Sequence, residues 1–264
     1  MKLILSVGKK ILKKINIDKL FELIELYDEN KYISGIEIMT SDYEYLEKYA
    51  NKCKEKNLIF QCHAPKTSDS EDTYNYLKEI NKISENLNKK INIVFHSVES
   101  ENIENSIEKT NYCMKKITEF VGQNKLNLSI SLENLNYLHG IKRINVDNID
   151  KILMINKELK YTYDMGHDIF DNKKATLMTQ IQKERLNNIH IHWYIENEDH
   201  HPILLENTNI EVINLGLKML RDINYDGNIV LEYGIDFMQG DTYEEKMITY
   251  IKSFKIIEKL INNI

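Results

Sequence analysis

Three cysteines, two prolines and nine glycines in 264 residues are a short supply, and each shortage removes a class of answer. Cys53, Cys62 and Cys113 are odd in number and share no Cys-x-x-Cys spacing. That pattern argues against a disulfide frame and for reduced thiols in a cytoplasm-like compartment. With two prolines and no Gly/Ser tract, no linker divides the chain, so a single domain over 1–264 is expected. No apolar run reaches the roughly 18–20 residues that cross a bilayer, and no membrane partner is expected. The opening Met1-Lys-Leu-Ile-Leu-Ser-Val-Gly-Lys-Lys cuts its apolar patch with lysines. It lacks the apolar stretch of about 7–15 residues of a secretory signal and reads as a first strand. The net charge of −6 gives no support to a broad nucleic-acid surface, although a local basic groove stays open. There is no Gly-x-Gly-x-x-Gly turn and no Gly-Lys-Ser/Thr ending after the first strand, as an open dinucleotide or P-loop sheet would need.

What is present is alternation. Short β-branched runs lie at 3–6, 35–39, 58–62, 91–95, 128–132, 159–163, 188–192 and 228–231. Between them, apolar residues fall at helical spacing over 18–30, 42–56, 72–87, 103–121, 146–157, 173–186, 208–220 and 242–260. Eight strand–helix units without adjacent hairpin strands imply parallel pairing through crossover helices. The expected fold is therefore α/β, a single (β/α)8 TIM barrel with a C-terminal helix, a size that typically takes roughly 250 residues.

In such a barrel the chemistry gathers where the strands end. Here they end on His63, His96, Glu133, Asp164 with His167, His190 with His192, and Glu232, while Glu198-Asp-His-His201 follows the seventh strand. Of the eight histidines only His139 lies away from a strand end, and it is expected to face solvent. Strand alternation puts Ser129, Ser131 and Glu133 on one face, and likewise His190 and His192. Carboxylates sharing a partly dry cavity need a cation to stay ionised together. Mixed imidazole and carboxylate donors suit zinc, manganese or iron better than calcium. Gly166 would give the Asp164–His167 turn a tight backbone path that aims both residues at one place. A lone strand-end Glu37 in Gly35-Ile-Glu-Ile reads as structural. His190, one step deeper than His192, is open between a packed group and a ligand, and only one of His200 and His201 is expected to point inward. Trp193 fits a pocket wall and a core position equally well.

The ordered set Gly35-Ile-Glu-Ile, His63-Ala-Pro, Val94-Phe-His96, Leu132-Glu133-Asn, Asp164-Met-Gly-His167, His190-Ile-His192 and Tyr225-Asp-Gly-Asn-Ile-Val-Leu-Glu232 resembles the xylose-isomerase-like barrel superfamily. That superfamily includes endonuclease IV (AP endonuclease family 2) and many sugar isomerases and epimerases. The epimerase resemblance implies one ion, manganese or cobalt, held by Glu133, Asp164, His192 and Glu232. The endonuclease IV resemblance implies two or three zinc ions, adding His63, His96, His167, and Glu198 with His200, or Asp199 with His201 instead. Departures fall on the nucleic-acid side. The usual Asp a few residues beyond His192 is missing, where Trp193-Tyr-Ile stands, the usual glycine after the loop is replaced around Leu204, and Lys66-Thr-Ser-Asp-Ser replaces the apolar wedge after His63-Ala-Pro.

Because a mononuclear site does not need His63 and His96, the expectation leans to a multinuclear-zinc phosphoester hydrolase. Zinc would bring the pKa of a bound water to about 7, and Glu133 would orient the resulting hydroxide. The substrate would be DNA or a smaller nucleotide-like or cofactor molecule. The alternative is a single-metal sugar or sugar-phosphate isomerase or epimerase, with Glu133 and Glu232 as acid and base. A catalytically silent binding barrel is the third reading.

Overall fold

In a computed structural model describing residues 1–136, 143–204, 206 and 208–263, the β-branched runs become strands whose backbones pair in parallel around a closed ring. They are β1 (Lys2–Val7), β2 (Ile33–Met39), β3 (Ile59–His63), β4 (Ile91–Phe95), β5 (Leu128–Glu133), β6 (Lys160–Asp164), β7 (Leu186–Ile191) and β10 (Asn228–Leu231). Around the ring the order is β1-β10-β7-β6-β5-β4-β3-β2, which is sequence order with closure between first and last. The barrel expectation therefore holds, and so does the single-domain architecture that closes on itself.

The helices are α1 (Lys9–Lys14), α2 (Ile17–Tyr27), α3 (Tyr43–Glu55), α4 (Glu71–Leu87), α5 (Ile103–Gln123), α6 (Ile149–Leu153), α7 (Met165–Asn172), α8 (Gln180–Arg185), α9 (Ile210–Asp222) and α10 (Tyr243–Asn262). Most begin on side-chain caps that the sequence spells out. Asn16, Asp42, Ser70 and Asn102 each accept from a backbone N–H of the first turn of their helix, satisfying donors that a helix start leaves unpaired. None of these helices, among the described residues, is long and apolar enough to cross a membrane.

Apolar residues from the outward faces of the strands, such as Ile36, Ile38, Phe95, Tyr161 and Ile189, pack with helix residues such as Leu20, Leu46, Leu77, Ile117 and Phe254 into one core. The barrel interior is more polar than the branched apolar layers usual for this fold. Glu37, Gln61, Ser131, Thr162, Asn188 and His190 are all buried there. Part of this set pairs internally: Gln61 Nε2 donates to Glu37 at 2.7 Å, Thr162 Oγ1 donates to Ser131 at 2.8 Å, and Asn228 Nδ2 donates to Gln61 at 2.9 Å.

Three of the sequence-based expectations change. The helix expected over 146–157 contracts to α6. The one expected over 173–186 contracts to α8, while a helix appears earlier, as α7. Lys173 takes a left-handed φ of 60° that ends α7, and Asp168 then captures Thr176 through both its N–H (2.6 Å) and its hydroxyl (2.8 Å). That pinning holds the following residues off a helical path until the Thr179–Gln182 capping box starts α8. The third change is a hairpin outside the barrel, β8 (Trp193–Ile195) with β9 (Glu198–His201), paired antiparallel.

The C-terminal helix α10 starts on a second capping box, Thr242 with Glu245. Thr242→Ala is expected to cost about 1 kcal/mol of stability, read as a lower denaturation midpoint in urea with unchanged slope. A midpoint equal to wild type would mean that the box contributes nothing to holding α10.

Candidate metal centre

The site is built at the C-terminal ends of β3 to β7 and β10, around one fully buried carboxylate. Glu133 ends β5 with 0% of its surface exposed. Its Oε2 lies 3.1 Å from His63 Nε2, 3.4 Å from His96 Nε2 and 3.5 Å from His190 Nδ1, and its Oε1 lies 3.4 Å from His167 Nδ1. Burial alone would push this carboxyl up. The imidazoles of His190, His96 and His167 outweigh burial and hold it well below the ordinary carboxylate range.

Asp164 does two jobs at the end of β6. Its Oδ1 caps α7 by accepting from His167 N–H at 2.7 Å and also lies 3.2 Å from His192 Nε2. Asn134, next after Glu133, clamps it from the neighbouring strand: Asn134 Nδ2 donates to the Asp164 carbonyl, and the Asp164 N–H donates back to Asn134 Oδ1, both at 2.9 Å. Because α7 starts directly on a strand end, His167 is carried back over the barrel mouth. Burial opposes a charge on the His167 ring, but Asp164 and Glu133 outweigh it and raise its pKa to about 10.

Glu232 closes the ring from the end of β10, with Oε2 2.7 Å from His190 Nδ1. Ligand-type atoms of Glu133, Asp164, His190 and Glu232 all lie within 4.8 Å of one another, as do those of His63, Glu133 and His190, and those of His167, His192 and His200. Such groups could hold a divalent cation. One structural test supports that fit: Glu133 Oε1, Asp164 Oδ2, His190 Nδ1, His192 Nε2 and Glu232 Oε2 are buried without a hydrogen-bond partner. Orphaned acceptors and imidazole nitrogens converging on one place cost several kcal/mol unless a cation or protons satisfy them.

The sequence-predicted residues separate in space. His63, His96, Glu133, Asp164, His167, His192, His200 and Glu232 come together. His190 joins them as the imidazole closest to the three carboxylates, whereas His192 meets Asp164 and stacks on His200 with rings 4.5 Å apart. Glu198 does not join. Its side chain is 70% exposed and reaches His201, at 3.6 Å, because its place at the start of β9, next to the hairpin turn, directs it outward. Asp199 takes the inward place, 2.7 Å from His200 Nδ1, with Asn136 Nδ2 donating to its other oxygen at 2.9 Å. His201 turns away and stacks on Phe237. The loop pair is thus Asp199 with His200, one member from each of the alternatives that the spacing offered. His139 lies outside the described residues. Beside Asp199 and His200 opens a cleft of about 540 Å³ lined also by Lys9, Met39, Tyr233 and Phe237.

Sequence reasoning missed Asn134 and Asn136 as partners of the site, although both stand in the Glu133-Asn-Leu-Asn stretch that closes β5. The role of Gly166 also changes. It sits inside α7 with no left-handed φ, and its value is the absent side chain: a Cβ there would run into the His192 ring.

No protein-family model matches the sequence, and no curated protein matches it. Solved structures match over almost the full length. A D-psicose 3-epimerase from Clostridium cellulolyticum is 13% identical with a TM-score of 0.67, covering 99% of both chains. A 3-keto-D-glucoside 4-epimerase from E. coli is 12% identical with a TM-score of 0.69, covering 98% of this chain and 99% of that one. A xylose isomerase domain protein from Alicyclobacillus acidocaldarius is 13% identical with a TM-score of 0.67, covering 99% and 98%. The chain has the fold of the xylose-isomerase-like barrels, as the ordered strand-end residues implied. The lean toward a phosphoester hydrolase is overturned: the barrels matched are named as sugar epimerases and a xylose isomerase domain protein.

Gly166→Ala is expected to displace His192 from Asp164, 3.2 Å away, and through that carboxylate to weaken divalent-ion binding by about 10–100-fold, with the circular-dichroism spectrum unchanged. Calorimetric titration with Mn²⁺ checks it. An Ala variant of wild-type affinity would show that the position of His192 does not matter to the ion.

Proposed function

We propose that this chain is a divalent-metal-dependent sugar isomerase or epimerase that moves a proton on a carbon next to a carbonyl, on a free or phosphorylated sugar. The observation that carries the reading is the meeting of Glu133 and Glu232, two buried carboxylates from different strands, within 4.8 Å at one centre. Sugar epimerases among the structural neighbours support it. Glu133, Asp164 and Glu232 would hold the ion with an imidazole from the end of β7, either His190 or His192. One manganese or cobalt ion fits this reading better than a zinc cluster. When bound, the ion would polarise the carbonyl and an adjacent hydroxyl and so acidify the C–H between them.

The protein's own groups supply the rest. One of Glu133 and Glu232 removes the proton from carbon, leaving its electron pair delocalised onto the carbonyl oxygen. The other returns a proton, to the opposite face of the same carbon for epimerisation, or, for isomerisation, to the former carbonyl carbon while the adjacent hydroxyl's proton passes to the former carbonyl oxygen. His63 and His96, on which the hydrolase expectation rested, have a place in this scheme. They face Glu133 Oε2 and can take up or supply its proton. His200 lines the cleft, with the His167 ring 5.5 Å from its own, and the pair would bind substrate oxygens, while the enclosed position of Glu133 keeps bulk water from competing for the proton.

Two measurements test the proposal. Purified protein is expected to carry or bind one Mn²⁺ or Co²⁺ per chain; two or more tightly held zinc ions would overturn the single-ion reading. With that ion and a panel of ketoses in D₂O, deuterium is expected to enter the sugar at the epimerised carbon. Glu133→Gln should slow this exchange by about 10²–10⁴-fold while remaining folded. Exchange at the wild-type rate in that variant would remove Glu133 from the chemistry.

A further inference from the structure

Glu37 does not line the cleft, and the epimerase scheme gives it no part. It projects from β2 into the barrel interior, where it is 1% exposed, and meets β7 across the intervening β1 and β10. A buried carboxylate is costly unless something specific holds it there. Gln61 and Asn188 donate to its Oε2, at 2.7 Å and 3.4 Å. The remaining partner is His190, whose Nε2 straddles the carboxylate at 3.2 Å from Oε1 and 3.3 Å from Oε2.

That contact decides how the ring is presented. A carboxylate accepts only, so the nitrogen facing Glu37 carries a hydrogen. The other nitrogen, Nδ1, is thereby turned to the centre, 2.7 Å from Glu232 Oε2, 3.5 Å from Glu133 Oε2 and 3.9 Å from Asp164 Oδ2. Without Glu37 a neutral ring could carry its hydrogen on Nδ1 and commit that nitrogen to a hydrogen bond with Glu232. We propose that Glu37 is a positioning residue of the metal centre: it holds His190 so that Nδ1 completes the group of Glu133, Asp164 and Glu232 as its imidazole donor. A carboxylate behind a ligating histidine is a general means of setting ring orientation and raising donor strength. The inference rests on the metal reading above and adds to it which β7 histidine faces the carboxylates and what orients it.

Co²⁺ serves as the probe, because calorimetry reports its affinity and its visible absorption reports the donors around it. Glu37→Gln keeps the shape and removes the charge. It is expected to weaken Co²⁺ binding by about 10–100-fold and to change the absorption band, with the melting transition still cooperative. In a His190→Gln background the same substitution is expected to cause no further loss, since Glu37 acts through that ring. Unchanged affinity and spectrum in Glu37→Gln would overturn the proposal. So would an equal loss with and without His190, which would mean that Glu37 serves only the polar network of Gln61, Asn188 and Asn228. If Glu37→Gln fails to fold, Glu37→Asp, which keeps the charge but withdraws it from the ring, takes its place in both backgrounds. The same loss confined to the His190 background is then expected, and either of the two contrary results overturns the proposal as before. Wild-type protein that binds no Co²⁺ would instead take down the metal reading itself.

Discussion

A carboxylate with no exposure to water, ringed by four imidazoles, is the constraint around which the barrel mouth is arranged. Glu133 is held ionised at that depth by imidazoles brought to it from β3, the end of β4, β7 and α7. Each supplier then needs its own partner, so the arrangement spreads outward: His167 leans on Asp164 and Asn134, His190 on Glu37 and Glu232, and His192 on Asp164 and His200. Much of the polar interior follows from the need to satisfy that one buried charge.

The fold makes this possible through register. Strands in parallel, each ending at nearly the same height, deliver one side chain apiece to a common space without any loop having to find it. Rigid elements hold such constellations more precisely than loops do. The one ligand-type pair that comes from outside the ring, Asp199 and His200, needs a hairpin and a left-handed His200 (φ 59°) to reach inward.

How much of this was legible in the sequence follows the same division. Strand positions could be read because period-two burial is a strong local pattern, and the strand-end ligand types followed from it. The helix α7 was hidden because Asp164-Met-Gly-His looks like a turn, and only the cap from Asp164 to the His167 N–H reveals a helix start. Glu37 read as structural because its partner is 153 positions away, across the barrel, and no local pattern announces that. The choice among Glu198, Asp199, His200 and His201 depended on a hairpin turn in which Glu196 and His200 both adopt left-handed backbone, a detail that residue spacing does not carry. Function was misjudged for a related reason. His63 and His96 were counted as donors to further ions, when a histidine beside a buried glutamate can equally be that glutamate's proton partner.

The division between barrel and hairpin also separates two rates. The three carboxylates nearest one another are anchored on strands whose ladders must break before they part. The Asp199–His200 wall hangs on a short two-stranded ribbon tied back by Gly234 N–H on the His200 carbonyl, by the His200 N–H on His192 Nδ1 and by Asn136 on Asp199. Opening that ribbon is a local event, available long before the barrel loosens. Exchange in the cleft would then need only that local opening, whereas exchange among the carboxylates would need the strand ladders to part. The mouth is a door hung on a vault.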